Sequence, residues 1–366
     1  MAGSSIGNIF RVTTFGESHG EAIGVIVDGV PAGLSITEED IQKKLDLRKP
    51  GTGKFTTPRK ESDTVHIQSG IFDGRTTGTP ISMVIYNENQ HSKDYSEIAS
   101  YYRPGHADFT FDEKYGFRDY RGGGRSSGRE TAARVAAGAL AMKILEELGI
   151  NVNAFSKKIA GVSVDEERMD MSEKYNNAFF MPDREAAALV EEKASAAISK
   201  GDSVGGIIEC HVDNMMTGIG ETVFEKLDAR LCSAIMSIGA VKGVEIGAGF
   251  DAADMCGSED NDRFTMKDGR VSKLSNNAGG ILGGMSDGSR IIIRAAVKPT
   301  PSISSLQKTV NKSGEDIEVS IKGRHDPMIV PRAVVVVESM AAITLVDLIM
   351  ENMSARMDKI KEFYAR

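Results

Sequence analysis

Two histidines of this sequence stand in glycine-flanked loops, where a side chain is able to do acid–base chemistry. His19 follows Ser18 in "GESHG", residues 16–20, and His106 lies in "YYRPGHAD", residues 101–108. An imidazole titrates near neutral pH, so one held at a fixed point can give or take a proton. A neighbouring glycine leaves room for a ligand and exposes backbone N–H groups. Both histidines are therefore candidate catalytic residues.

The remaining histidines give no comparable pattern. His66 and His211 lie inside strand-like alternations of apolar and polar residues, which favours a structural role. No pair of histidines has the H-x-x-x-H or H-E-x-x-H spacing, and no histidine stands at zinc-site spacing from a cysteine. No metal site is expected.

A glycine-rich segment that leads into a predicted helix is a candidate anion site. In "RGGGRSSGRE", residues 121–130, Arg125, Ser126 and Ser127 follow three glycines. A helix N-terminus presents unpaired N–H groups that suit a phosphate or carboxylate. Arg129 and Arg134 add guanidinium groups, which can bind an anion through two parallel hydrogen bonds. The alternative, a glycine turn with a serine cap and solvated arginines, fits the same residues. The segment is neither a Walker motif nor a dinucleotide-binding G-x-G-x-x-G.

Two further polar segments lie late in the chain. "KPTPS", residues 298–302, presents a lysine and two hydroxyls in a stretch that two prolines make rigid, which suits phosphate but also suits the exit of an edge strand. "GRHDP", residues 323–327, puts Arg324 near Asp326 just before the apolar run "AVVVVES". That run is expected to be a buried strand, and polar loops at strand ends often form sites. An exposed ion pair is the alternative.

The charge distribution favours a focused anion pocket over a nucleic-acid surface. The net charge is −8, yet cations are concentrated in residues 43–60 and 103–134. Cys210, Cys232 and Cys256 form no C-x-x-C pair, which indicates a reducing compartment. No leader-like segment and no apolar run of membrane-spanning length is recognised, so we expect a cytoplasmic protein without nucleic-acid or membrane partners.

The pattern of elements predicts an α+β fold, because strands and helices do not alternate regularly. Residues 35–49 read as a helix that Thr37 and Asp40 start with a capping box. A second helix is expected from about Ser127 or Gly128 to Gly149, and its many small residues predict a central, closely packed position. The irregular stretch 87–128 is too long for a plain connector, so a functional or mobile segment is expected there.

Several long segments, in order, resemble the chorismate synthase family. These are "GESHGEAIGVIVDGVP", "GRSSGRETAARVAAGAL" and "RHDPMIVPRAVVVVESM", with "RPGHAD", "VKGVEIG", "NAGGILGG" and "KPTPS" between or beside them. The resemblance covers about residues 7–350. It implies a β-α-β sandwich with helices between antiparallel sheets, formed by one domain over residues 1–366. The long functional loops of that domain are then expected near 48–60, 87–128, 274–288 and 298–327.

The resemblance also implies a reaction, the last step of the shikimate pathway. In it, 5-enolpyruvylshikimate 3-phosphate (EPSP) loses phosphate and a ring hydrogen by anti-1,4-elimination to give chorismate. Reduced FMN is required without net redox change, and some members of the family reduce it with NAD(P)H. The family assembles as a homotetramer. The substrate carries a phosphate and two carboxylates, so two arginine-rich clusters in an acidic protein fit such ligands.

The resemblance assigns roles position by position. His19 would protonate the reduced flavin near N1, His106 would protonate the departing phosphate, and Asp326 would help to move the proton from flavin N5. The implied substrate-binding residues are Ser18, Arg48, Lys54, Arg103 and Arg129. The implied FMN-binding residues are Arg125, Ser126, Ser127, Gly239, Ala240, Gly283, Lys298, Pro299, Thr300, Pro301, Ser302 and Arg324.

Two departures and two rival functions remain. Lys54 stands where many relatives have arginine, so its contact would lack the planar fork, and Met328 replaces a smaller residue. One rival is a flavin-dependent oxidoreductase acting on a phosphorylated substrate, which would consume NAD(P)H stoichiometrically. The other is a non-catalytic phosphate- or nucleotide-binding protein.

Overall fold

The structure is a computed structural model that describes residues 3–50, 55, 61–88, 97–321 and 326–365. Its helices are α1 (Glu38–Arg48), α2 (Asp108–Tyr115), α3 (Thr131–Glu147), α4 (Arg184–Ser199), α5 (Leu227–Met236), α6 (Gly257–Asp260), α7 (Val330–Asn352) and α8 (Met357–Tyr364). Its strands are β1 (Ser5–Ile6), β2 (Arg11–Gly16), β3 (Ala22–Asp28), β4 (Val65–Ile67), β5 (Ile71–Phe72), β6 (Arg75–Thr76), β7 (Ile81–Tyr86), β8 (Asn151–Ile159), β9 (Val162–Ser163), β10 (Gly206–Asp213), β11 (Val241–Ile246), β12 (Phe264–Lys267), β13 (Arg270–Lys273), β14 (Ile281–Leu282), β15 (Met285–Ser286), β16 (Ile291–Val297), β17 (Gln307–Val310) and β18 (Asp316–Val319).

Two five-stranded antiparallel sheets form the outer layers. The first has the strand order β1-β2-β3-β7-β4, and the second has the order β11-β16-β10-β8-β9. In β16, Ile291, Ile293, Ala295 and Val297 are buried and the residues between them are not. This period of two places one face of the strand on the core. Four small two-stranded hairpins lie outside these sheets among the described residues.

The helices α1, α3, α5 and α7 pack between the two sheets. α3 contacts β2, β3 and β7 of the first sheet, and α7 contacts β8 and β10 of the second. The two helices approach each other closely, because a Cβ added to Gly138 would lie 2.3 Å from the Cβ of Ser339. The α+β architecture with central helices between antiparallel sheets is therefore confirmed. So is the central position predicted for the helix rich in small residues.

The predicted buried strand at "AVVVVES" is wrong, because these residues belong to α7. Pro331 stands in the first turn of this helix, where a missing N–H costs nothing. Every residue from Ala333 to Leu348 is buried, so burial between the sheets outweighs the weak helix preference of valine. An apolar run without a polar face gives no period, and the sequence could not separate strand from helix here.

α7 is also long and apolar enough to span a bilayer by length and composition alone. Its most apolar window has a mean hydropathy of 2.1, and 83% of that window is buried inside the protein. The expectation that no apolar run reaches spanning length was therefore wrong. Enclosure by the two sheets accounts for the composition, since a core helix of this kind needs no polar side.

α1 begins as predicted and delivers a charged residue to the interior. Thr37 accepts a hydrogen bond from the Asp40 N–H, and the Asp40 carboxylate accepts one from the Thr37 N–H at 3.0 Å. The helix ends at Arg48, whose side chain is 1% exposed. The capping box therefore fixes the start of a helix that places a guanidinium in the core.

Candidate active site

A cavity of about 530 Å³ opens where the helix layer meets several polar loops. Its size lies in the usual range for small-molecule sites. Most of the predicted site residues line it: His19, Arg48, Arg103, His106, Arg125, Ser126, Ser127, Arg129, Gly239, Ala240, Lys298, Thr300, Pro301, Ser302 and Asp326. Segments that are distant in sequence are thus brought to one place.

The remaining predicted residues do not line this cavity or cannot be placed. Ser18 and Pro299 are adjacent in sequence to residues that line it. Gly283 lies in the turn between β14 and β15, away from the cavity lining. Lys54 and Arg324 lie outside the described residues.

His19 is held in the loop between β2 and β3. The residue is 7% exposed, and its Nδ1 lies 3.1 Å from the hydroxyl of buried Ser18. Its ring packs against the backbone of Gly122, from the glycine-rich segment. The "GESHG" loop and the "RGGG" segment therefore form one wall of the cavity.

His106 is held between its own loop and the "KPTPS" segment. Its Nδ1 lies 3.0 Å from the carbonyl oxygen of Pro104, and its Nε2 lies 2.8 Å from the hydroxyl of Ser302. A carbonyl only accepts, so Nδ1 must carry a hydrogen. In the neutral ring Nε2 then accepts from Ser302, and in the protonated ring it donates. The geometry thus leaves Nε2 as the nitrogen that gains and loses the proton.

The two loops around His106 fit together closely. A Cβ on Gly105 would lie 2.7 Å from the Cβ of Pro301, so only glycine allows this approach. The Lys298 ammonium donates to the Gly105 carbonyl at 2.8 Å, and the Lys298 N–H donates to the Ala240 carbonyl at 2.9 Å. The lysine therefore ties the histidine loop to the turn that contains Ala240.

Arg48 and Arg129 share one buried carboxylate. Arg48 donates to Oδ2 of Asp63, and Arg129 donates to Oδ1 of the same residue. Burial disfavours the charged form of Asp63, but the two guanidinium groups outweigh burial and hold the pKa of its carboxyl below its usual range. Glu61 adds a second negative charge, 3.8 Å from Arg129. Both arginines are thus fixed at the cavity wall.

Arg103 is fixed in a similar way. Asp108, at the start of α2, accepts from Nε of Arg103 at 2.8 Å and from its terminal nitrogen at 2.7 Å. Burial again opposes ionisation of Asp108, and the hydrogen bonds from Arg103 lower the pKa of its carboxyl. A terminal nitrogen of Arg118 also lies 3.9 Å from Oδ1 of Asp108. The two bonds to Asp108 orient the guanidinium that the cavity presents.

The glycine-rich segment forms two short 3-10 turns before α3, at Gly124–Ser126 and Gly128–Glu130. The hydroxyl of Ser127 accepts from the Arg129 N–H at 3.3 Å, and the hydroxyl of Ser126 donates to the Gly123 carbonyl at 2.8 Å. Arg125 donates to main-chain and side-chain oxygens of Thr14 at 3.3 and 2.7 Å. Its role in the structure is therefore to anchor this segment to β2 beside the cavity. The serine cap of the alternative interpretation is present, but the segment also lines a cavity.

Asp326 is held by a residue that the sequence did not single out. Arg332, in the first turn of α7, donates to Oδ2 of Asp326, and its Nε donates to the carbonyl of Arg48 at 2.8 Å. The alternative considered above, an exposed ion pair between Arg324 and Asp326, involves a residue outside the described ranges. Arg332 itself lines the cavity.

Three more residues that organise the cavity were missed: Asp63, Asp108 and Gly122. A weak signal existed for the acids, because buried arginines need carboxylate partners, and "ESD" and "HAD" lie close in sequence to the basic segments. Nothing in the sequence states which carboxylate meets which arginine. That pairing depends on distances across the fold.

The cavity lining fits an anionic cofactor with polar groups. Among the described residues, Oγ1 of Thr300 and Nε of Arg48 are buried without a hydrogen-bond partner, and buried polar atoms normally have one. Gly239 has open space where a Cβ would stand. These observations fit a flavin mononucleotide, whose phosphate and ring carbonyls accept hydrogen bonds. Within the described ranges, no group of His, Cys, Asp and Glu is arranged to hold a metal ion.

The fold and this cavity define an enzyme of the β-α-β sandwich type with a cation-rich pocket and two loop histidines. The sequence pattern of the chorismate synthase family matches residues 10–350. The chain is 69% identical to a chorismate synthase of Lachnospira eligens and 64% identical to one of Agathobacter rectalis, each over the full length of both chains. A solved structure of a chorismate synthase superposes with a TM-score of 0.76 at 31% identity, covering 98% of this chain and 96% of that one.

The chain belongs to the chorismate synthase family. Its activity is that of a carbon–oxygen lyase acting on a phosphate ester. It eliminates phosphate and a ring hydrogen from EPSP to form chorismate, the last step of the shikimate pathway. The oxidoreductase and the non-catalytic binding protein considered above are not supported by these similarities.

Proposed function

We propose that the 530 Å³ cavity is the site of this elimination and holds EPSP together with reduced FMN. The single observation that supports this most strongly is the convergence of both loop histidines and Asp326 on one cavity. These residues lie in three distant segments of the chain, and a purely structural role gives no reason for them to meet.

The charge of the cavity lining suits these ligands. Seven cationic side chains among the described residues line it: Arg48, Arg103, Arg125, Arg129, Arg134, Lys298 and Arg332. The carboxylates in the lining are fewer: Glu61, Glu130 and Asp326. The phosphate and two carboxylates of the substrate, with the phosphate of the cofactor, supply the anions that such a lining attracts. Lys54 and Arg324 are proposed to add to this set.

His106 is proposed to protonate the departing phosphate. Its Nδ1 is fixed as a donor to the Pro104 carbonyl, so Nε2 is the nitrogen available for proton transfer. The Ser302 hydroxyl, 2.8 Å from Nε2, orients the ring. It can donate to Nε2 of the neutral ring and accept from Nε2 of the protonated ring. A phosphate leaves more readily when a positioned acid neutralises its developing charge.

His19 and Asp326 are proposed to manage protons on the cofactor side of the reaction. The reduced flavin, when bound, supplies electron density to the reacting ring and accepts the ring hydrogen. His19 would hold a proton near flavin N1, steadied by Ser18 at 3.1 Å. Asp326, oriented by Arg332, would receive the proton that leaves flavin N5. Ser126, Ser127, Gly239, Ala240 and residues 298–302 are proposed to bind the cofactor.

An anaerobic assay with photoreduced FMN and EPSP tests the whole proposal. We expect the diene absorbance of chorismate to rise with an equal release of phosphate, over many turnovers per flavin reduced. Stoichiometric consumption of NAD(P)H without phosphate release would instead indicate the oxidoreductase. Phosphate binding without either reaction would indicate a binding protein.

Assembly and location are a further part of the proposal. We propose a cytoplasmic homotetramer of single-domain chains, because the buried core is continuous across both sheets and the described cysteines are unpaired. Val223, Phe224 and Phe250 are 67%, 86% and 81% exposed, and apolar side chains exposed to this degree favour an interface between chains. Light scattering would give the mass of the assembly. Whether NAD(P)H reduces the bound flavin is tested by adding it under anaerobic conditions in place of light.

A further inference from the structure

Asp63 holds two cavity arginines with separate oxygen atoms. Oδ2 binds Arg48, at the end of α1, and Oδ1 binds Arg129, just before α3. The Asp63 side chain is 0% exposed, and the two arginine side chains are 1% and 4% exposed. One carboxylate therefore bridges guanidinium groups from two different helix ends.

This bridge is necessary because the two cations repel each other. Like charges in a poorly solvated interior are unfavourable, and each would turn toward solvent or another acid without a shared counter-ion. Arg129 has further contacts, from its Nε to Oδ1 of Asn87 at 2.9 Å and with Glu61 at 3.8 Å. Among the described residues, the only other side-chain hydrogen bond of Arg48 is a long one, 3.5 Å to the Thr131 hydroxyl. Arg48 thus depends most on Asp63.

The position of Asp63 is behind the two arginines as seen from the cavity. Both arginines line the cavity and Asp63 does not. Nε of Arg48 is buried and has no partner among the described residues. A ligand anion would therefore meet the guanidinium groups on the side that faces away from Asp63.

We propose that Asp63 is a positioning residue that fixes Arg48 and Arg129 as one two-pronged clamp for an anionic group of the substrate. The inference rests on the proposed placement of EPSP in this cavity. It assigns to Asp63 no contact with substrate, because its two oxygens are occupied by the arginines. Its effect is to hold two forks at a fixed separation before the ligand arrives, which lowers the cost of binding.

Asp63→Asn is the variant that separates positioning from backbone effects. Asp63 has a φ of 51°, a left-handed conformation that asparagine tolerates as well as aspartate does. The amide keeps one acceptor oxygen and replaces the other by an NH₂ donor, so only one arginine remains held. In the anaerobic assay we expect KM for EPSP to rise by about tenfold or more, with a smaller change in kcat, because binding is lost in ground and transition states alike.

Asp347→Asn is a matched control. Asp347 is also buried, accepts backbone N–H bonds from residues 8–10, and pairs with Arg230 at 2.6 Å, but it does not line the cavity. Its variant is expected to lose thermal stability and to keep the wild-type KM within about twofold. Equal losses of stability in both variants, with KM unchanged in both, would show that Asp63 is only structural and would overturn the proposal.

Two further variants keep the outcome decisive. If Asp63→Asn does not fold, Asp63→Glu retains the charge and both oxygens but displaces them by one methylene, and we expect it to fold with a raised KM. A wild-type KM in Asp63→Glu would then overturn the proposal.

Arg48→Ala tests the placement of the substrate. If KM is raised in Arg48→Ala but unchanged in Asp63→Asn, the positioning role of Asp63 is rejected and the placement of the substrate is kept. An unchanged KM in both rejects the proposed placement of the substrate and, with it, the clamp.

Discussion

The imidazole of His19 lies directly on the backbone of Gly122. A Cβ at Gly122 would stand 2.1 Å from Cε1 and 2.2 Å from Nδ1 of the ring, so no other residue type fits without displacing the histidine. Gly122 also has a φ of 66°, in the left-handed region, as do Gly123 and Gly124. The glycine-rich segment is therefore needed for its shape, and the position of a proposed catalytic histidine depends on it.

Gly122→Ala is expected to lower activity by displacing His19. The methyl group must move the ring, and a misplaced catalytic group can cost about 10²-fold in rate. The left-handed backbone adds about 1–2 kcal/mol of strain. Steady-state kinetics of chorismate formation and thermal unfolding measure the two effects.

Gly116→Ala is the control for that strain. Gly116 has a φ of 78° at the end of α2, and a Cβ there would meet nothing within 4 Å. It is expected to lose similar stability and to keep wild-type kcat. Equal activity in the two alanine variants would mean that His19 is either not displaced or not needed.

His106→Ala and, separately, His19→Ala are each expected to reduce the rate by about 10²–10⁴, the usual contribution of a general acid or base. The reason is the loss of a positioned proton donor, while the arginines that line the cavity remain. Single-turnover kinetics with photoreduced FMN would measure the loss. His66→Ala provides the comparison. His66 is exposed on β4, so this variant is expected to keep the wild-type rate. A wild-type rate in either loop variant removes the role proposed for that histidine.

Arg332→Lys is expected to lower kcat by about tenfold with a smaller effect on KM. Lysine keeps the charge but cannot donate hydrogen bonds to Asp326 and to the Arg48 carbonyl at the same time. Asp326 therefore loses its fixed orientation. The pH profile of kcat should change with it. Arg356→Lys, at an exposed ion pair with Asp358, is expected to have wild-type kinetics. Identical kinetics in both variants would count against a positioning role of Arg332.

Asp262→Asn is expected to destabilise the protein in a pH-dependent way. Burial opposes ionisation of Asp262, but hydrogen bonds from Ser275, Ala278, Asn277 and Lys273 lower the pKa of its carboxyl from 3.8 to about 2. A folded pKa below the unfolded one means that the ionised group stabilises fully above pH 3.8. This contribution is lost as the pH falls toward about 2. The shift corresponds to about 2 kcal/mol at neutral pH.

Urea unfolding of this variant at about pH 7 and about pH 3 would check the sign. The stability deficit of the variant should be largest near neutral pH and clearly smaller, but not zero, at about pH 3, because that pH lies between the folded and unfolded pKa values of Asp262. Asp358→Asn is the control, since Asp358 is exposed and its loss should change unfolding little at either pH. A deficit in Asp262→Asn that grows as the pH falls would contradict the assigned pKa direction.

Much of the site could be predicted because its residues lie in short motifs with local constraints. The loops around His19 and His106, the serines before α3 and the "KPTPS" segment were all identified, and the structure brings them to one cavity. Local rules also located the capping box at Thr37. Such features depend on neighbours in sequence, which the sequence states directly.

Other features could not be predicted because they depend on partners far along the chain. Asp63 and Arg332 carry no motif of their own, and their importance arises only when the ends of α1, α3 and α7 meet. For the valine run of α7, the local sequence led to a prediction, but the prediction was wrong. The local preference of the run favoured a strand, and the enclosure of the run between two sheets made it a helix.

The amino-acid sequence by itself therefore determined the family, the reaction, the α+β class and most of the residues that line the cavity. The tertiary structure decided which carboxylate holds which arginine, which glycine gives His19 its place, and how the central apolar segment folds. The physical reason is how far apart along the chain the interacting residues lie. Caps, turns and motifs are fixed within a few residues, whereas ion pairing and burial are settled between segments that only the folded chain brings together.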